Sequence, residues 1–230
     1  MNWRRFLVQL LPPQHCTLCA ATSAAQVCDA CTGALPWLAQ ENICPVCARF
    51  SPTGQVCGHC LKTPPAFYRT LSLLEYRFPA NHLISRFKYG QQLHLADWFA
   101  EQFIQRLALT GTAADVIVPV PLHPNRLKQR GFNQSQLLSE KLARGLNRAH
   151  LPDLVQRTLD TSQQAGLSRK ERTRNMRHAF ACNGNVRGLH LAVVDDVITT
   201  GSTADSLCRT LLDAGAAQVE VWSMARTPDN

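Results

Sequence analysis

The chain has 230 residues, 45% of them hydrophobic and 17% charged, and its 24 Lys and Arg against 16 Asp and Glu give a formal charge of +8. That length holds one α/β domain and a small appendage, with enough apolar material for a core. The composition excludes a disordered or collagen-like polymer, and no segment approaches the ~20 apolar residues that a membrane span needs.

Phe6 to Leu11 follows Arg4 and Arg5. The run is short, Gln9 interrupts it and no small-residue cleavage site follows, so a packed N-terminal helix is expected and not an export signal. Of the ten cysteines, eight lie in the first 60 residues, as four C-x-x-C pairs: Cys16 and Cys19, Cys28 and Cys31, Cys44 and Cys47, Cys57 and Cys60. A two-residue spacer turns both sulfurs of a pair toward one ion, and two pairs complete the tetrahedral thiolate shell of a structural zinc site. Pairing neighbours assigns Cys16, Cys19, Cys28 and Cys31 to one zinc and Cys44, Cys47, Cys57 and Cys60 to a second. A cross-braced arrangement, first pair with third and second with fourth, satisfies the same counts. Disulfides and redox pairs compete for the C-x-x-C pattern, but regular spacing favours metal, and four thiolates leave no open position for hydrolysis. His15 and His59 flank cysteines without being needed as ligands.

Paired thiols without an export signal point to the reducing cytoplasm. Eight thiolates and two zinc ions would halve the positive charge without abolishing it. A knuckle surface of this kind serves a cytoplasmic protein partner as readily as nucleic acid. The cysteine-rich composition ends near Lys62-Thr63-Pro64-Pro65, which places the expected domains at 1–65 and 66–230.

Phe67 to Tyr76 carries β-formers and predicts a strand. Leu83, Ile84 and Phe87 predict a short helix, and Leu95, Phe99, Phe103, Ile104 and Leu107 a longer one. Between these helices, Phe87-Lys88-Tyr89-Gly90 puts Lys88 where it can reach a phosphate. Asp115 to Pro121 reads as a buried strand ended by its prolines. Arg126, Lys128 and Arg130 are then expected in a basic loop leaving that strand, before a helix marked by Leu138, Leu142 and Leu146. In an open α/β sheet such loops converge at one edge, where ligands bind. Leu154 to Thr158 predicts a further strand. Gln163 to Met176 is polar and basic without apolar period, which suits a mobile lid. Ala217 to Ala225 alternates as a last strand. Strands and helices therefore alternate, which implies a mostly parallel sheet covered on both faces. No internal repeat is expected.

The stretch from Leu191 to Thr203 carries the functional signal. An apolar strand ends in Asp195 and Asp196, and a hydroxyl-rich turn, Thr199, Thr200, Gly201, Ser202 and Thr203, leads into a helix on whose apolar face Cys208 falls. Unpaired N–H groups and the positive end of the helix dipole suit an anion there. Two carboxylates beside a phosphate call for a sugar: they accept hydrogen bonds from ribose hydroxyls while the turn holds the 5′-phosphate. A nucleoside triphosphate site would need Lys beside Ser or Thr after a Gly-rich loop, and no Gly-Lys pair occurs in the chain.

The order of apolar strand, Asp-Asp, two residues and Thr-Gly-x-Thr resembles the phosphoribosyl pyrophosphate signature of type I phosphoribosyltransferases. Val118-Pro119-Val120-Pro121-Leu122 with Arg126, then Arg130-Gly131-Phe132-Asn133-Gln134, together with the cysteine module, resembles the ComF/GntX family of competence and DNA-utilisation proteins over almost the whole chain. The resemblance implies an α/β fold in which a double zinc ribbon precedes a type I phosphoribosyltransferase-like, mostly parallel sheet with helices on both faces. It implies a role in using external DNA, as nutrient or in transformation, and a phosphoribosyl pyrophosphate ligand with magnesium. The segment 163–176 would be the loop that closes over the substrate. Asp195, Asp196, Arg126 and Arg130 become the candidate catalytic residues of a pentosyl transfer. Lys88, Lys128, Thr199, Thr200, Gly201, Ser202 and Thr203 become candidate substrate ligands. The alternative is a non-catalytic adaptor binding nucleotide or single-stranded DNA, for which Tyr89 and Phe132 are the few aromatics near the basic residues.

Overall fold

The computed structural model describes residues 15–90, 92–158 and 179–228. The predicted N-terminal helix at Phe6 to Leu11 and the predicted lid at Gln163 to Met176 lie outside them. The main sheet has five strands, β1 (Arg69–Glu75), β2 (Val116–Pro119), β3 (Ala149–His150), β6 (His190–Ile198) and β7 (Gln218–Arg226), in the order β1-β7-β6-β2-β3. Every pairing in it is parallel. Such a sheet must be covered on both faces, and its strands are accordingly near-continuous apolar runs. Leu191 and Val193 of β6 join one hydrophobic cluster and Ala192 and Val194 the other.

On one face lie α3 (Ala80–Tyr89), α4 (Leu95–Thr110) and α6 (Gln134–Leu146). Phe87, Phe99 and Phe103 are fully buried there against Trp222 and the strands. Each contributes about 2–3 kcal/mol of transfer free energy. On the other face α7 (Ser202–Asp213) lays down Ala204, Leu207, Cys208 and Leu211. Beside it, β4 (Val155–Arg157) and β5 (Phe180–Cys182) form a separate antiparallel pair. The strand expected at Leu154 to Thr158 thus exists outside the main sheet. Among the described residues no helix is long and apolar enough to cross a membrane.

Two expectations are corrected. Arg126, Lys128 and Arg130 do not sit in a loop: they lie on α5 (Pro124–Arg130). His123 caps its start by accepting from the Asn125 N–H, Pro124 stands at its first turn, and Gly131 ends it in the left-handed conformation at φ 79°. That is the helix-start proline and helix-stop glycine asymmetry, compressed into seven residues. The central strand also does not stop at the acids. It runs through Asp195 and Asp196 to Ile198, because pairing with β7 continues from Asp195 opposite Ser223 to Ile198 opposite Arg226.

The N-terminal part contains a repeat that was not expected. Cys16 Sγ accepts the N–H of Cys28 and Cys44 Sγ that of Cys57, and each knuckle is closed by an isolated antiparallel bridge, His15 with Thr22 and Ile43 with Phe50. Ala20 and Ala48 both take positive φ, 60° and 55°, just after the second cysteine of their knuckle. Cys28 and Cys57 then each cap a short helix, α1 (Asp29–Gly33) and α2 (Gly58–Lys62), that carries the fourth cysteine. The module docks on the sheet edge: Leu38 N–H donates to Leu73 O at 3.0 Å and Glu75 N–H to Pro36 O at 2.8 Å. Covering β1 in this way removes an exposed edge strand.

Candidate functional site

The four sulfurs of Cys16, Cys19, Cys28 and Cys31 lie within 4.8 Å of one another, as do those of Cys44, Cys47, Cys57 and Cys60. Neighbouring pairs therefore share a site, and the cross-braced arrangement is excluded. The donor set fits zinc. Burial pushes the Cys16 thiol up, but the N–H groups of Cys19, Cys28 and Leu18 outweigh it and bring it to about 6. Burial likewise opposes, and the N–H groups of Cys57, Cys47 and Val46 overcome it, to place Cys44 at about 7. Burial and the neighbouring sulfurs push Cys31 up to about 12, and burial leads the rise of Cys47 to about 11. One thiolate forms readily in each cluster, while Cys31 in the first and Cys47 in the second resist a further negative charge. A divalent cation removes that resistance, and fourfold sulfur coordination makes it structural.

The second site lies at the carboxyl ends of β6 and β2. These strands are adjacent and parallel, Val116 opposite Leu191 through Pro119 opposite Val194, so the turn after β6 and α5 after β2 leave the same edge. Asp195 and the turn residues Thr199, Thr200, Gly201, Ser202 and Thr203 line one small hollow. Thr199, Thr200 and Ser202 are exposed, and Thr200 Oγ1 lies 2.8 Å from Ser202 Oγ. Gly201 caps α7 at φ 84°, and a Cβ there would meet nothing nearer than Ile198 Cγ2 at 4.0 Å. It is the backbone conformation, not space, that requires glycine. Helix geometry leaves the first N–H groups of α7 without intrahelical carbonyls, facing whatever binds the turn.

The two acids diverge. Asp195 Oδ1 accepts the Asp196 N–H at 2.8 Å and Asp196 Oδ1 the Val197 N–H at 2.6 Å, which fixes both side chains. Asp195 faces the hollow, whereas Asp196 Oδ2 lies 2.9 Å from Lys88 Nζ at the end of α3. Burial, then the Asp196 charge, pushes the Asp195 carboxyl up to about 7, against the Asp196 N–H and the positive charges of Lys88 and Arg157.

Arg130 donates to Tyr89 Oη at 2.9 Å, with its guanidinium 4.9 Å from that ring's centroid, and to Gln134 Oε1 at 3.2 Å. Buried Gln134 in turn donates to Lys88 O at 3.1 Å, and Asn133 Nδ2 donates to Val120 O at 3.0 Å. The Arg130 to Gln134 motif thereby ties α5 to α3 and to the end of β2. Arg126 is half-buried one turn before Arg130, on the same helix face, while Lys128 is exposed on the other. The structure brings together Asp195, Asp196, Lys88 and the turn, and Arg130 reaches them through Tyr89 and Gln134. It turns Lys128 away.

Two arginines at this site carried no motif. Arg157, on β4, stacks over Phe180 at 5.5 Å and acts on Asp195 by charge. Arg226, at the end of β7, is buried and donates to Ile198 O at 2.9 Å. Glu220, also buried on β7, is held by Arg69 and Thr112 and belongs to the scaffold.

Fold and site together define a class: a double zinc ribbon joined to a parallel α/β domain with an acid pair and a hydroxyl turn at the end of its central strand. Residues 7–61 match the double zinc ribbon domain family. The DNA utilization protein YhgH of Salmonella typhi is 36% identical over 229 residues, covering 95% of this chain and 99% of that protein. YhgH of Escherichia coli K12 is 35% identical over 227 residues, with the same coverage. Competence protein F of Haemophilus influenzae is 35% identical over 184 residues, covering 75% of this chain and 79% of that one. The chain belongs to the ComF/GntX family of competence and DNA-utilisation proteins. Among solved structures it is similar to glutamine phosphoribosylpyrophosphate amidotransferase from B. subtilis, with a TM-score of 0.42 and 18% identity, covering 61% of this chain and 30% of that chain.

Proposed function

We propose that the α/β domain binds phosphoribosyl pyrophosphate or a closely related sugar phosphate, with magnesium, and that the chain serves the use of external DNA from the cytoplasm. The observation that carries this reading is the hollow shared by Asp195 and the turn from Thr199 to Thr203. Carboxylates accept hydrogen bonds from sugar hydroxyls, and hydroxyls with helix N–H groups donate to a phosphate. The carboxylate oxygens of Asp195 and Asp196 are hard ligands that favour a cation such as magnesium, and burial together with the Asp196 charge, which raises Asp195 to about 7, adds to that preference. Magnesium would supply charge neutralisation on the pyrophosphate.

In a pentosyl transfer the acceptor attacks the anomeric carbon and pyrophosphate leaves, so no protein nucleophile is required. Asp195 and Asp196 hold the ribose as positive character grows on it. Arg126 and Arg130, with Lys88, meet the departing charge, and guanidinium groups suit that because they stay charged and donate in pairs. Relatives named for DNA utilisation and competence support the biological half of the reading.

Isothermal titration of the zinc-replete chain with phosphoribosyl pyrophosphate and magnesium tests it. Saturable binding that weakens in Asp195→Asn is expected, and no heat from folded wild type would end the reading. A nucleotide- or single-strand-binding adaptor is favoured by one feature: Tyr89 is exposed with Arg130 stacked on it, a platform on which a base can lie. Oligonucleotide binding that falls steeply with salt, without product from the activated sugar, would select it.

A further inference from the structure

Arg226 is a buried guanidinium, 3% exposed, at the seam between the second zinc ribbon and the phosphate turn. Its Nε donates to the Cys47 carbonyl at 3.1 Å, and its Nη1 donates to Ile198 O at 2.9 Å and also to Thr199 O. One planar fork thus joins the main chain of a metal ligand to the residue that opens the turn. A hollow lined by Arg49, His59, Pro64, Thr200 and Gly201 adjoins it, so the guanidinium spans a gap and does not back onto a packed wall.

The Cys47 carbonyl is aimed by its knuckle. The Ala48 N–H returns to Cys44 O at 2.9 Å, and Ala48 holds φ at 55°, a conformation that an alanine adopts only under constraint. Ligation of Cys44 and Cys47 by one ion supplies that constraint. Among the described residues the first ribbon has no comparable route: Cys16, Val27 and Leu35 pack into the hydrophobic cluster of α3 and α4, whereas α7 packs into the other.

We propose that Arg226 is a positioning residue through which metal occupancy of the second cluster sets the grip of the phosphate turn. The chain of action is short. Zinc fixes the Cys47 main chain, Cys47 O orients the Arg226 fork, and the fork holds the carbonyls of Ile198 and Thr199, so that the hydroxyls and N–H groups beyond them stay aimed. A fork is needed because its donor directions are locked to one another, which an ammonium cannot reproduce. The proposal rests on the sugar-phosphate reading of the turn.

Coupling of this kind is reciprocal: if zinc at the second cluster tightens the turn, a ligand on the turn tightens that zinc. The test is chelator competition on the full chain, with and without phosphoribosyl pyrophosphate and magnesium, the two zinc sites being assigned with Cys19→Ser and Cys57→Ser. Ligand is expected to tighten the second site about five- to tenfold and leave the first unchanged, the lower end of typical coupling. In Arg226→Lys, which keeps the charge, the response is expected to vanish while both ions still bind. Wild type that binds the ligand without this response, or an unchanged response in Arg226→Lys, overturns the proposal.

A second arm needs no ligand. Amide exchange across 199–203 is expected to quicken in Cys57→Ser and in Arg226→Lys but not in Cys19→Ser, and equal exchange in all of them overturns the coupling. Absence of ligand binding with the exchange pattern intact would instead remove the sugar-phosphate reading and leave the coupling in place.

Discussion

Lys88 Nζ lies 2.9 Å from Asp196 Oδ2, with the side chains only 13% and 17% exposed. The pair crosses from the end of α3 to the end of the central strand, so the cleft is held together by the charges that a ligand would use. Removing one partner leaves the other largely desolvated. Lys88→Met is expected to lower stability by about 1–3 kcal/mol, less than a fully buried pair would cost. The double-mutant cycle with Asp196→Asn, read by urea unfolding, should recover about 1 kcal/mol or more as coupling. Strict additivity would show that the contact contributes nothing.

The acid beside it predicts a pH dependence of definite sign. The Asp195 carboxyl stands at about 7 in the fold, raised first by burial and then by the Asp196 charge. In the unfolded chain a carboxyl titrates near ~4, so between these values the native state holds more protons. Its contribution is present at low pH and is lost as pH rises from about 4 to about 7. Asp195→Asn should therefore stabilise the ligand-free protein above neutrality, by on the order of 2 kcal/mol, since water reaching the cleft reduces the full effect. Sugar hydroxyls bind the ionised form. Affinity for phosphoribosyl pyrophosphate in wild type is then expected to rise about tenfold between roughly pH 6 and pH 8, with proton release on binding. Titration in buffers of different ionisation enthalpy measures that release, and a flat profile would exclude Asp195 from the ribose.

Gln134 offers a way to test the two halves of the proposed ligand separately. It is 1% exposed and links Arg130 to the Lys88 carbonyl. Gln134→Leu keeps the volume and removes both bonds, leaving Arg130 held by Tyr89 alone among the contacts named above. Inorganic pyrophosphate is expected to bind about three- to tenfold more weakly, a loss of one to two hydrogen bonds, while ribose 5-phosphate is unaffected. Equal losses for both would mean that the substitution disturbs the whole domain.

Much of this was legible in residues and some was not, for physical reasons. Leu191 to Val194 announced a strand buried on both faces, and Cys208 a core position, because burial acts on side-chain type and the chain displays that directly. The zinc pairing stayed open because spacing limits which sulfurs can share an ion without choosing among them; three-dimensional proximity chose. The ribbon repeat was hidden because the two halves share cysteines, bridges and one positive φ, but little other side-chain chemistry. Arg226 and Arg157 were invisible because their roles arise from distant chain segments, Cys47 in one case and Asp195 in the other.

The basic segment after β2 gives the sharpest contrast between the two descriptions. As a loop, Arg126, Lys128 and Arg130 would be equal candidates for a pyrophosphate. As a helix they are not, since at 3.6 residues per turn positions 126 and 130 share a face and 128 points to the other side. Their exposure agrees: Arg126 and Arg130 are half-buried and Lys128 is exposed. Arg126→Ala is expected to weaken pyrophosphate binding about tenfold, the loss of one charge-assisted contact. Lys128→Ala should leave it within about twofold and cost only a few tenths of a kcal/mol, because its charge near the end of α5 favours the helix dipole. Titration of both variants with magnesium pyrophosphate, beside circular dichroism to show that α5 persists, separates the two. Similar losses in both would mean that the segment opens into a loop when the ligand arrives, and the face-sharing argument would then fail for Arg130 as well.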